Sequence, residues 1–227
     1  MAGLDPMAVK AAFFDIDGTL VDSNGLHVEA WGEAFGEAGI SLDPQAIHDQ
    51  IGKGSDNLVP SLLPDADEAR QKAIGGAHGR IFKARYLDRV QPFAGAKDLL
   101  MRVHSTGRAV VLASSASQAE LDHYIDLLGA ADLVSATTSA DEVRKTKPAS
   151  DIFATALKKL EPISAAEIVA IGDTPYDVEA AGKCGIATIG LRSGGFDDAD
   201  LLDAGAIALY GDVAALLAGF EASPLAQ

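Results

Sequence analysis

The stretch Phe13-Phe14-Asp15-Ile16-Asp17-Gly18-Thr19-Leu20-Val21-Asp22-Ser23 decides the fold. Two carboxylates, Asp15 and Asp17, stand two residues apart at the end of an apolar run that predicts a strand over residues 11–15. Open α/β sheets hold their ligands at the carboxyl ends of their strands. Carboxylates in that position can bind Mg²⁺ together with a phosphate group, and a carboxylate can also be a nucleophile. Taken alone, the segment is also compatible with a turn that carries two solvated acids.

Composition limits the partners of this chain. It has 227 residues, 48% hydrophobic and 22% charged, which suits a sizeable core in one large domain or in a domain with a smaller companion. The formal net charge of −15 repels phosphate backbones, so nucleic acid is not an expected partner. An anionic substrate would therefore need local positive charge at its site, which a metal ion and one or two lysines could supply.

The single cysteine and the absence of long apolar runs bear on the cellular location. Cys184 can form no disulfide within the chain, which fits a reducing environment, and we expect a cytoplasmic protein. Residues 1–7 lack the basic cluster and apolar core of a secretory signal. No apolar run approaches the length of a membrane span, so no membrane partner is expected.

Short apolar runs alternate with segments of helical periodicity along most of the chain. This alternation is typical of βαβ units and predicts an α/β fold with a Rossmann-like, doubly wound parallel sheet. The predicted strands are 11–15, 109–113, 133–136, 168–171, 187–190 and 206–209, and the predicted helices between the last five are 118–128, 151–160, 177–184 and 198–204.

The segment from about residue 21 to residue 91 breaks this rhythm. It contains no convincing strand, and apolar residues at helical spacing predict helices over residues 27–38, 55–63 and 65–87. The last of these is weakened by Gly75 and Gly76. We interpret the segment as an all-helical insertion that begins just after the two aspartates.

Three further polar clusters follow predicted strands. Ser114 and Ser115 end one apolar run just before a helix, where they could bind phosphate or simply cap the helix. Lys147 precedes a proline ahead of the next helix, and alone it is compatible with an exposed lysine. Asp173 ends another apolar run, and Asp177 lies four residues later. One of these acids could bind a metal and the other could orient it or hold Lys147, unless both are helix caps.

The order and spacing of these clusters resemble the four motifs of the haloacid dehalogenase-like superfamily of phosphotransferases, over nearly the whole chain. The matching residues are Asp15-Ile-Asp17-Gly-Thr-Leu-Val-Asp-Ser, Ser114, Lys147-Pro and Gly172-Asp173-x-x-x-Asp177. The insertion resembles the helical cap of the branch that contains phosphoglycolate phosphatases and β-phosphoglucomutases. The resemblance implies a discontinuous core of residues 8–21 and 92–222 and a helical cap domain of residues 22–91.

The resemblance also implies the chemistry of the acids. Asp15 would attack phosphorus and become an aspartyl phosphate, while Asp17 would protonate the leaving oxygen and then deprotonate the attacking water. Asp17 must carry a proton at the start, so we expect its surroundings to favour the neutral form. Mg²⁺ would be held by the carboxylates of Asp15 and Asp173 and by the main-chain carbonyl of Asp17.

The phosphate itself would be held by other motif residues. The resemblance implies that Ser114 and Lys147 bind the phosphoryl oxygens, and that Asp177 supports Lys147 or the water around the metal. Ser115 and Thr19 are further candidates for substrate binding.

Candidate substrate contacts in the insertion are Lys53 and His27. Phosphonoacetaldehyde hydrolases use an imine-forming lysine and lack the second acid, so with Asp17 present we interpret Lys53 as a substrate contact, the alternative being a solvated lysine. His27, four residues before Trp31, matches a pattern of β-phosphoglucomutases that phosphatases of this branch share. Asp56 stands where those mutases carry an arginine for a second phosphate, and it would repel a bisphosphate.

The expected function is Mg²⁺-dependent hydrolysis of a small phosphomonoester similar to phosphoglycolate or a sugar phosphate. A β-phosphoglucomutase-like phosphomutase is the alternative, and a non-catalytic binding protein is a remote one. The expected partner is a small phosphorylated metabolite, and we expect a monomer or a weak homodimer.

Overall fold

The computed structural model describes residues 8–227; the segment examined for a secretory signal, residues 1–7, lies outside them. Six strands form one parallel sheet in the order β5-β4-β1-β6-β7-β8, and two short strands, β2 and β3, pair antiparallel beside it. The strands are β1 (Ala11–Phe14), β2 (Val21–Asp22), β3 (Gln91–Pro92), β4 (Ala109–Ala113), β5 (Ala136–Thr138), β6 (Ile168–Gly172), β7 (Ala187–Leu191) and β8 (Ala208–Tyr210).

Helices cover both faces of this sheet. Alternate residues of β1 point to opposite faces, so Phe14 joins an apolar cluster with the helices at residues 96–105 and 118–128, while Phe13 joins a second cluster with the helices at residues 151–159 and 175–182. The helices are α1 (Asn24–Glu37), α2 (Pro44–His48), α3 (Ser55–Leu62), α4 (Glu68–Arg85), α5 (Ala96–Ser105), α6 (Gln118–Leu128), α7 (Asp151–Lys159), α8 (Pro175–Gly182), α9 (Asp198–Asp203) and α10 (Val213–Ala218). The predicted α/β class with a doubly wound parallel sheet is confirmed.

The first strand lies in the middle of the sheet. The chain adds β4 and β5 on one side of β1, and β6, β7 and β8 on the other. The direction in which successive strands are added therefore changes at β1, and a crevice opens there at the carboxyl edge of the sheet. Asp15 and Asp17 follow β1 directly and lie at this switch point.

The insertion consists of α1 to α4, between the paired strands β2 and β3. The expectation that it contains no strand is wrong only at its two ends, where these two-residue strands hold its entry and exit side by side. Helix α4 continues through Gly75 and Gly76 because Ile74, Ile81 and Phe82 are buried, and tertiary packing outweighs the weak helix propensity of glycine. We call residues 24–89 the helical segment.

Several boundaries differ from the sequence expectation. Strand β5 starts at Ala136, because the N–H groups of Leu133 and Val134 bond to the carbonyl of Ala130 in a turn. Helix α8 starts at Pro175, where the Thr174 side chain accepts a hydrogen bond from the N–H of Asp177. Helices α2, α5 and α10 were not predicted. Among residues 8–227, no helix is both long and apolar enough to cross a membrane.

Candidate active site

Three segments that follow strands of the sheet bring charged side chains together at its carboxyl edge. Asp15 follows β1, Lys147 lies in the loop after β5, and Asp173 and Asp177 follow β6. The Lys147 ammonium forms ion pairs with Asp15 and, at 2.7 Å, with Asp177 Oδ1. Only 1% of the Lys147 side chain is exposed, so its methylenes and its charge are both enclosed. These ion pairs join motifs that are far apart in the sequence.

Asp177 both caps a helix and holds Lys147, the two roles that the sequence left open. Its Oδ2 accepts hydrogen bonds from the N–H of Thr174 at 3.1 Å and from the Thr174 hydroxyl at 2.7 Å, which caps helix α8. Its Oδ1 pairs with Lys147. A Cβ at Gly172 would lie 2.4 Å from the Cβ of Asp177, so only glycine fits at this close approach.

Asp173 is held in place by two donors from the first motif and the start of α1. The Thr19 hydroxyl donates to Oδ1 at 2.8 Å, and the Asn24 amide donates to Oδ2 at 2.9 Å. Gly18 has a φ of +75°, and a Cβ there would lie 2.1 Å from Asp173 Oδ2. The Asp-x-Asp-Gly turn thus needs glycine both for its backbone angle and for contact with this carboxylate.

The buried charges do not balance without a cation. Asp15, Asp173 and Asp177 each offer an oxygen, and the three oxygens lie within 4.8 Å of one another. With one lysine, the three ionised acids would leave a net buried charge of −2. Burial of unpaired charge is costly, and a divalent cation would neutralise this excess. The donor set of hard carboxylate oxygens fits such an ion.

The pKa values in the cluster reflect this imbalance. Burial, together with neighbouring acids, raises the pKa of Asp15 well above its usual range, although Lys147 opposes the shift. Burial and the nearby Asp177 raise the pKa of Asp173 to about 7. Burial lowers the pKa of Lys147, but the carboxylates of Asp15 and Asp177 outweigh it, and the net pKa is raised. Lys147 therefore keeps its charge.

Asp17 lies in a different environment from Asp15. Its Oδ1 accepts from the Ser23 hydroxyl at 2.7 Å and lies 3.2 Å from His27 Nε2. Burial raises the pKa of Asp17, but the hydrogen bonds from His27 and Ser23 outweigh burial, and the net pKa is lowered. The expectation that its surroundings favour the neutral form is therefore wrong for the structure as it stands.

His78 was not singled out from the sequence, yet it belongs to this part of the site. Its Nε2 lies 3.2 Å from Nδ1 of His27. The His78 ring stacks on Trp31, with centroids 3.9 Å apart, and the His27 ring stacks on Phe82 at 3.8 Å. His78 is 51 residues from His27 in sequence. The only sequence signal is that His78 and Phe82 are four residues apart on α4, and therefore share a face.

The three hydroxyl residues predicted to contact substrate take different positions. Ser115 lines the cavity in front of Asp15, and its buried hydroxyl has no hydrogen-bond partner within residues 8–227. Ser114 is buried, and its hydroxyl oxygen accepts from the N–H of Ala116 at 3.0 Å. Thr19 is also buried and donates to Asp173. Substrate contacts of all three remain predictions.

A cavity of about 270 Å³ separates the sheet edge from the helical segment. Asp15, Asp17 and Ser115 line it on the sheet side, and His27 and Lys53 line it on the other. The Lys53 ammonium donates to the Ser61 hydroxyl at 3.1 Å and lies 4.4 Å from the centre of the Tyr176 ring. Lys53 therefore lines the same cavity as the acids, although its ammonium already donates to Ser61.

Asp56 does not line the cavity. Its carboxylate accepts from the backbone N–H of Thr146 at 3.0 Å and from the Thr146 hydroxyl. The N–H of Gly54 donates to the same hydroxyl oxygen at 2.9 Å, and the Asn57 amide donates to the carbonyl of Lys147 at 3.3 Å. The prediction that Asp56 faces a second phosphate is thus wrong, because this acid joins the helical segment to the loop of Lys147.

Comparison with known proteins identifies relatives over most of the chain. A family model described as haloacid dehalogenase-like hydrolase matches residues 9–185. The chain is 27% identical over 217 residues to a phosphoglycolate phosphatase of Rhodospirillum rubrum, covering 91% of this chain and 89% of that protein. It is 29% identical over 212 residues to the protein SUPPRESSOR OF QUENCHING 1, chloroplastic, of Arabidopsis thaliana, but spans only 20% of its length.

Two solved structures are similar over nearly their full length. A hydrolase from Pseudomonas syringae has a TM-score of 0.87 at 28% identity, covering 94% of this chain and 98% of that one. A putative β-phosphoglucomutase from Bacteroides vulgatus has a TM-score of 0.86 at 25% identity, covering 96% of this chain and 90% of that one.

Proposed function

The chain belongs to the haloacid dehalogenase-like hydrolase family, and from this premise we propose that it hydrolyses a small phosphomonoester with Mg²⁺, through an aspartyl phosphate on Asp15. The observation that carries the proposal is the buried cluster of Lys147 with Asp15, Asp173 and Asp177 at the switch point of the sheet. A cluster with excess negative charge suits a metal, and the single lysine suits a phosphoryl group.

We also propose that residues 22–91 form a cap over a core of residues 8–21 and 92–222. The paired strands β2 and β3 lie at the two junctions, so both connections leave the core at one place. Such a double connection can act as a hinge that admits substrate and then excludes water. The helical segment already covers the acids, and its residues form one wall of the cavity.

The metal would be held by the carboxylates of Asp15 and Asp173 and by the main-chain carbonyl of Asp17. When bound, the ion offsets the negative charge of the phosphate and of the attacking carboxylate. Thr19 and Asn24 orient Asp173, and Gly18 leaves room for its carboxylate. These contacts would hold the Asp173 carboxylate in position to bind the ion.

In the proposed reaction the two motif acids have different roles. A carboxylate oxygen of Asp15 bonds to phosphorus while the bond from phosphorus to the leaving oxygen breaks, and Asp17, after it has taken up a proton from solvent, gives that oxygen the proton. A water oxygen then bonds to phosphorus, the bond to Asp15 breaks, and the water proton goes to Asp17. Lys147 neutralises Asp15 before the reaction and the phosphoryl oxygens during it.

A panel of phosphomonoesters assayed with Mg²⁺ and with a chelator tests the proposal. We expect release of inorganic phosphate that stops in chelator and returns with Mg²⁺. Asp15→Asn should abolish release, because an amide is not a competent nucleophile. The matched control Asp22→Asn, an exposed acid of the same motif, should leave it intact. Activity that survives chelation, or that survives Asp15→Asn, would contradict the proposal.

A phosphomutase is the second candidate, because His27 lies 3.2 Å from Asp17 and one similar structure is a putative β-phosphoglucomutase. The test is to incubate β-glucose 1-phosphate with a trace of the 1,6-bisphosphate. A phosphatase releases phosphate faster than glucose 6-phosphate forms. The reverse order would favour the mutase.

A further inference from the structure

Several glycines line the cavity on the side that the helical segment provides. Those among residues 8–227 are Gly52, Gly54, Gly75 and Gly79. A Cβ would lie 2.7 Å from the hydroxyl oxygen of Thr174 at the first of these positions, 2.4 Å from that of Thr146 at the second, and 2.8 Å from the Cβ of Ser55 at the third. The close approach of a neighbouring side chain therefore explains the glycine at three of the four positions.

No such contact explains Gly79. A Cβ at this position would meet nothing within 4 Å among the described residues, and the φ of Gly79 is not among the positive values that favour glycine. Gly79 lies inside helix α4, where glycine is less favourable than alanine. The absent side chain thus weakens the helix and leaves open space in the cavity.

This open space lies where the leaving group of a phosphomonoester would be. Asp15 is on the sheet side of the cavity, and a phosphoryl transfer places the attacking and leaving oxygens roughly in line. The leaving oxygen would then point away from Asp15, toward the wall that contains Gly79. On the sheet side, the buried Ser115 hydroxyl has no hydrogen-bond partner within residues 8–227, and a phosphoryl oxygen would satisfy it.

We propose that Gly79 is a specificity-determining residue, whose absent side chain makes room for an uncharged leaving group of several carbons, such as the sugar of a sugar monophosphate. This inference rests on the proposed phosphatase function. The cavity of about 270 Å³ is small for a ligand site, since such sites typically have roughly 300–1,000 Å³. One added side chain would therefore remove an appreciable part of the space.

Two esters that differ in the size of the leaving group test the proposal. They are fructose 1-phosphate and 2-hydroxyethyl phosphate, and both release an uncharged primary alcohol, so charge and the need for a proton on the leaving oxygen are matched. The quantity compared is kcat/KM with Mg²⁺ for Gly79→Ala and Gly79→Val. The matched controls are Gly76→Ala and Gly76→Val, on the same helix, because Gly76 is exposed, lies outside the cavity and would also carry a Cβ without contacts.

For Gly79→Val we expect kcat/KM to fall about tenfold or more with fructose 1-phosphate, as a difference of one methylene in a fitted pocket is worth about 10–200-fold. With 2-hydroxyethyl phosphate it should change less than about twofold. Gly79→Ala should show a smaller loss with fructose 1-phosphate alone, and both Gly76 variants should change neither value by more than about twofold.

Thermal unfolding separates loss of room from damage to the fold. Alanine is the better helix former, so Gly79→Ala and Gly76→Ala should each raise the unfolding midpoint, by about 1–4 °C. Gly79→Ala would then be more stable than the wild-type protein and yet poorer with the larger ester. A midpoint that falls in Gly79→Ala would mean that glycine is needed for packing of the wall, and would overturn the proposal.

Equal losses with the two esters in Gly79→Val, or no loss with either, would overturn the role of Gly79 while leaving the phosphatase intact. A wild-type preference for 2-hydroxyethyl phosphate over fructose 1-phosphate would also overturn it. Failure of the wild-type protein to release phosphate from either ester or from p-nitrophenyl phosphate with Mg²⁺ would instead overturn the proposed function, and this inference with it.

Discussion

The carboxylate of Asp56 in the helical segment accepts two hydrogen bonds from Thr146, the residue before Lys147 in the core. The neighbouring Asn57 amide donates to the carbonyl of Thr146 at 3.0 Å. These bonds hold the loop that carries the buried lysine against the start of α3. The proposed closure of the helical segment would therefore be linked to the placement of Lys147 through one threonine.

Asp56→Ala should weaken that link. Loss of hydrogen bonds to a charged acceptor costs about 1.5–3 kcal/mol each when they are enclosed, and these are partly exposed. We expect KM to rise about tenfold, because a closed state that is less populated binds substrate less well. The matched control Asp65→Ala, at an exposed acid of the same segment, should leave KM unchanged. Steady-state kinetics check this, and an unchanged KM in Asp56→Ala would contradict the link.

The sequence predicts the core of this fold because its signals are local. Helix α6 matches its prediction at both ends, since the Ser117 hydroxyl and Glu120 form a capping box and Gly129 ends the helix with a φ of +56°. The strand β1 and its acids are equally readable, because four buried residues run into two carboxylates.

Contacts between distant parts of the chain have no such signal. Asp56 and Thr146 are 90 residues apart, and the sequence placed Asp56 beside a second phosphate because nothing local ties it to Thr146. His78 was missed for the same reason. The lowered pKa of Asp17 depends on a histidine of α1 and on Ser23, and the direction of such a shift emerges only when their distances are known.

Mg²⁺ should stabilise the folded protein, because the buried acids exceed the single lysine by two charges. A ligand present at 100 times its Kd stabilises by about 2.7 kcal/mol if it does not bind the unfolded chain. We expect the unfolding midpoint to rise with Mg²⁺ in the wild-type protein and not in Asp173→Asn. A midpoint that is insensitive to Mg²⁺, or that rises equally in the variant, would contradict a metal site at Asp173.

The stability of the metal-free protein should fall as pH rises from about 4 to about 7. Asp173 has a pKa of about 7 when folded, against a usual value of 3.8, so between these values the folded state binds more protons than the unfolded state. Stability falls with pH wherever the folded state holds the extra proton. Urea unfolding in chelator at about pH 5 and pH 8 checks this. Asp173→Asn should reduce the loss between these two pH values, and a loss of the same size in the variant would argue that other groups cause it.

Gly18→Ala should damage both stability and metal binding. Alanine at a φ of +75° is strained by about 1–3 kcal/mol, and its Cβ would lie 2.1 Å from Asp173 Oδ2. We expect a lower unfolding midpoint and loss of the stabilisation by Mg²⁺. Gly32→Ala is the matched control, since a Cβ there meets nothing within 4 Å and should stabilise α1 by about 0.5–1 kcal/mol. Thermal unfolding of both variants, with and without Mg²⁺, separates the two effects.

The charges of the cavity wall favour a substrate whose leaving group is uncharged. Among the described residues that line the cavity, Lys53 is the only lysine or arginine, while Glu120 and Asp141 add two carboxylates away from the metal cluster. Each of these carboxylates accepts a backbone N–H, from Ser117 and from Gln118, but neither has a cationic partner among the described side chains. An anionic leaving group would therefore meet more negative than positive charge.

We expect higher kcat/KM for fructose 1-phosphate, whose sugar leaving group is uncharged, than for phosphoglycolate, whose leaving group carries a carboxylate. Asp141→Asn retains the acceptor for Gln118 but removes a negative charge. It should shift the ratio of the two kcat/KM values toward phosphoglycolate by roughly fivefold, as one nearby charge at an intermediate dielectric is worth about 1 kcal/mol. Asp132→Asn, at an exposed acid outside the cavity, should leave the ratio unchanged. A wild-type preference for phosphoglycolate, or a ratio that Asp141→Asn does not move, would mean that the wall charges do not select the substrate.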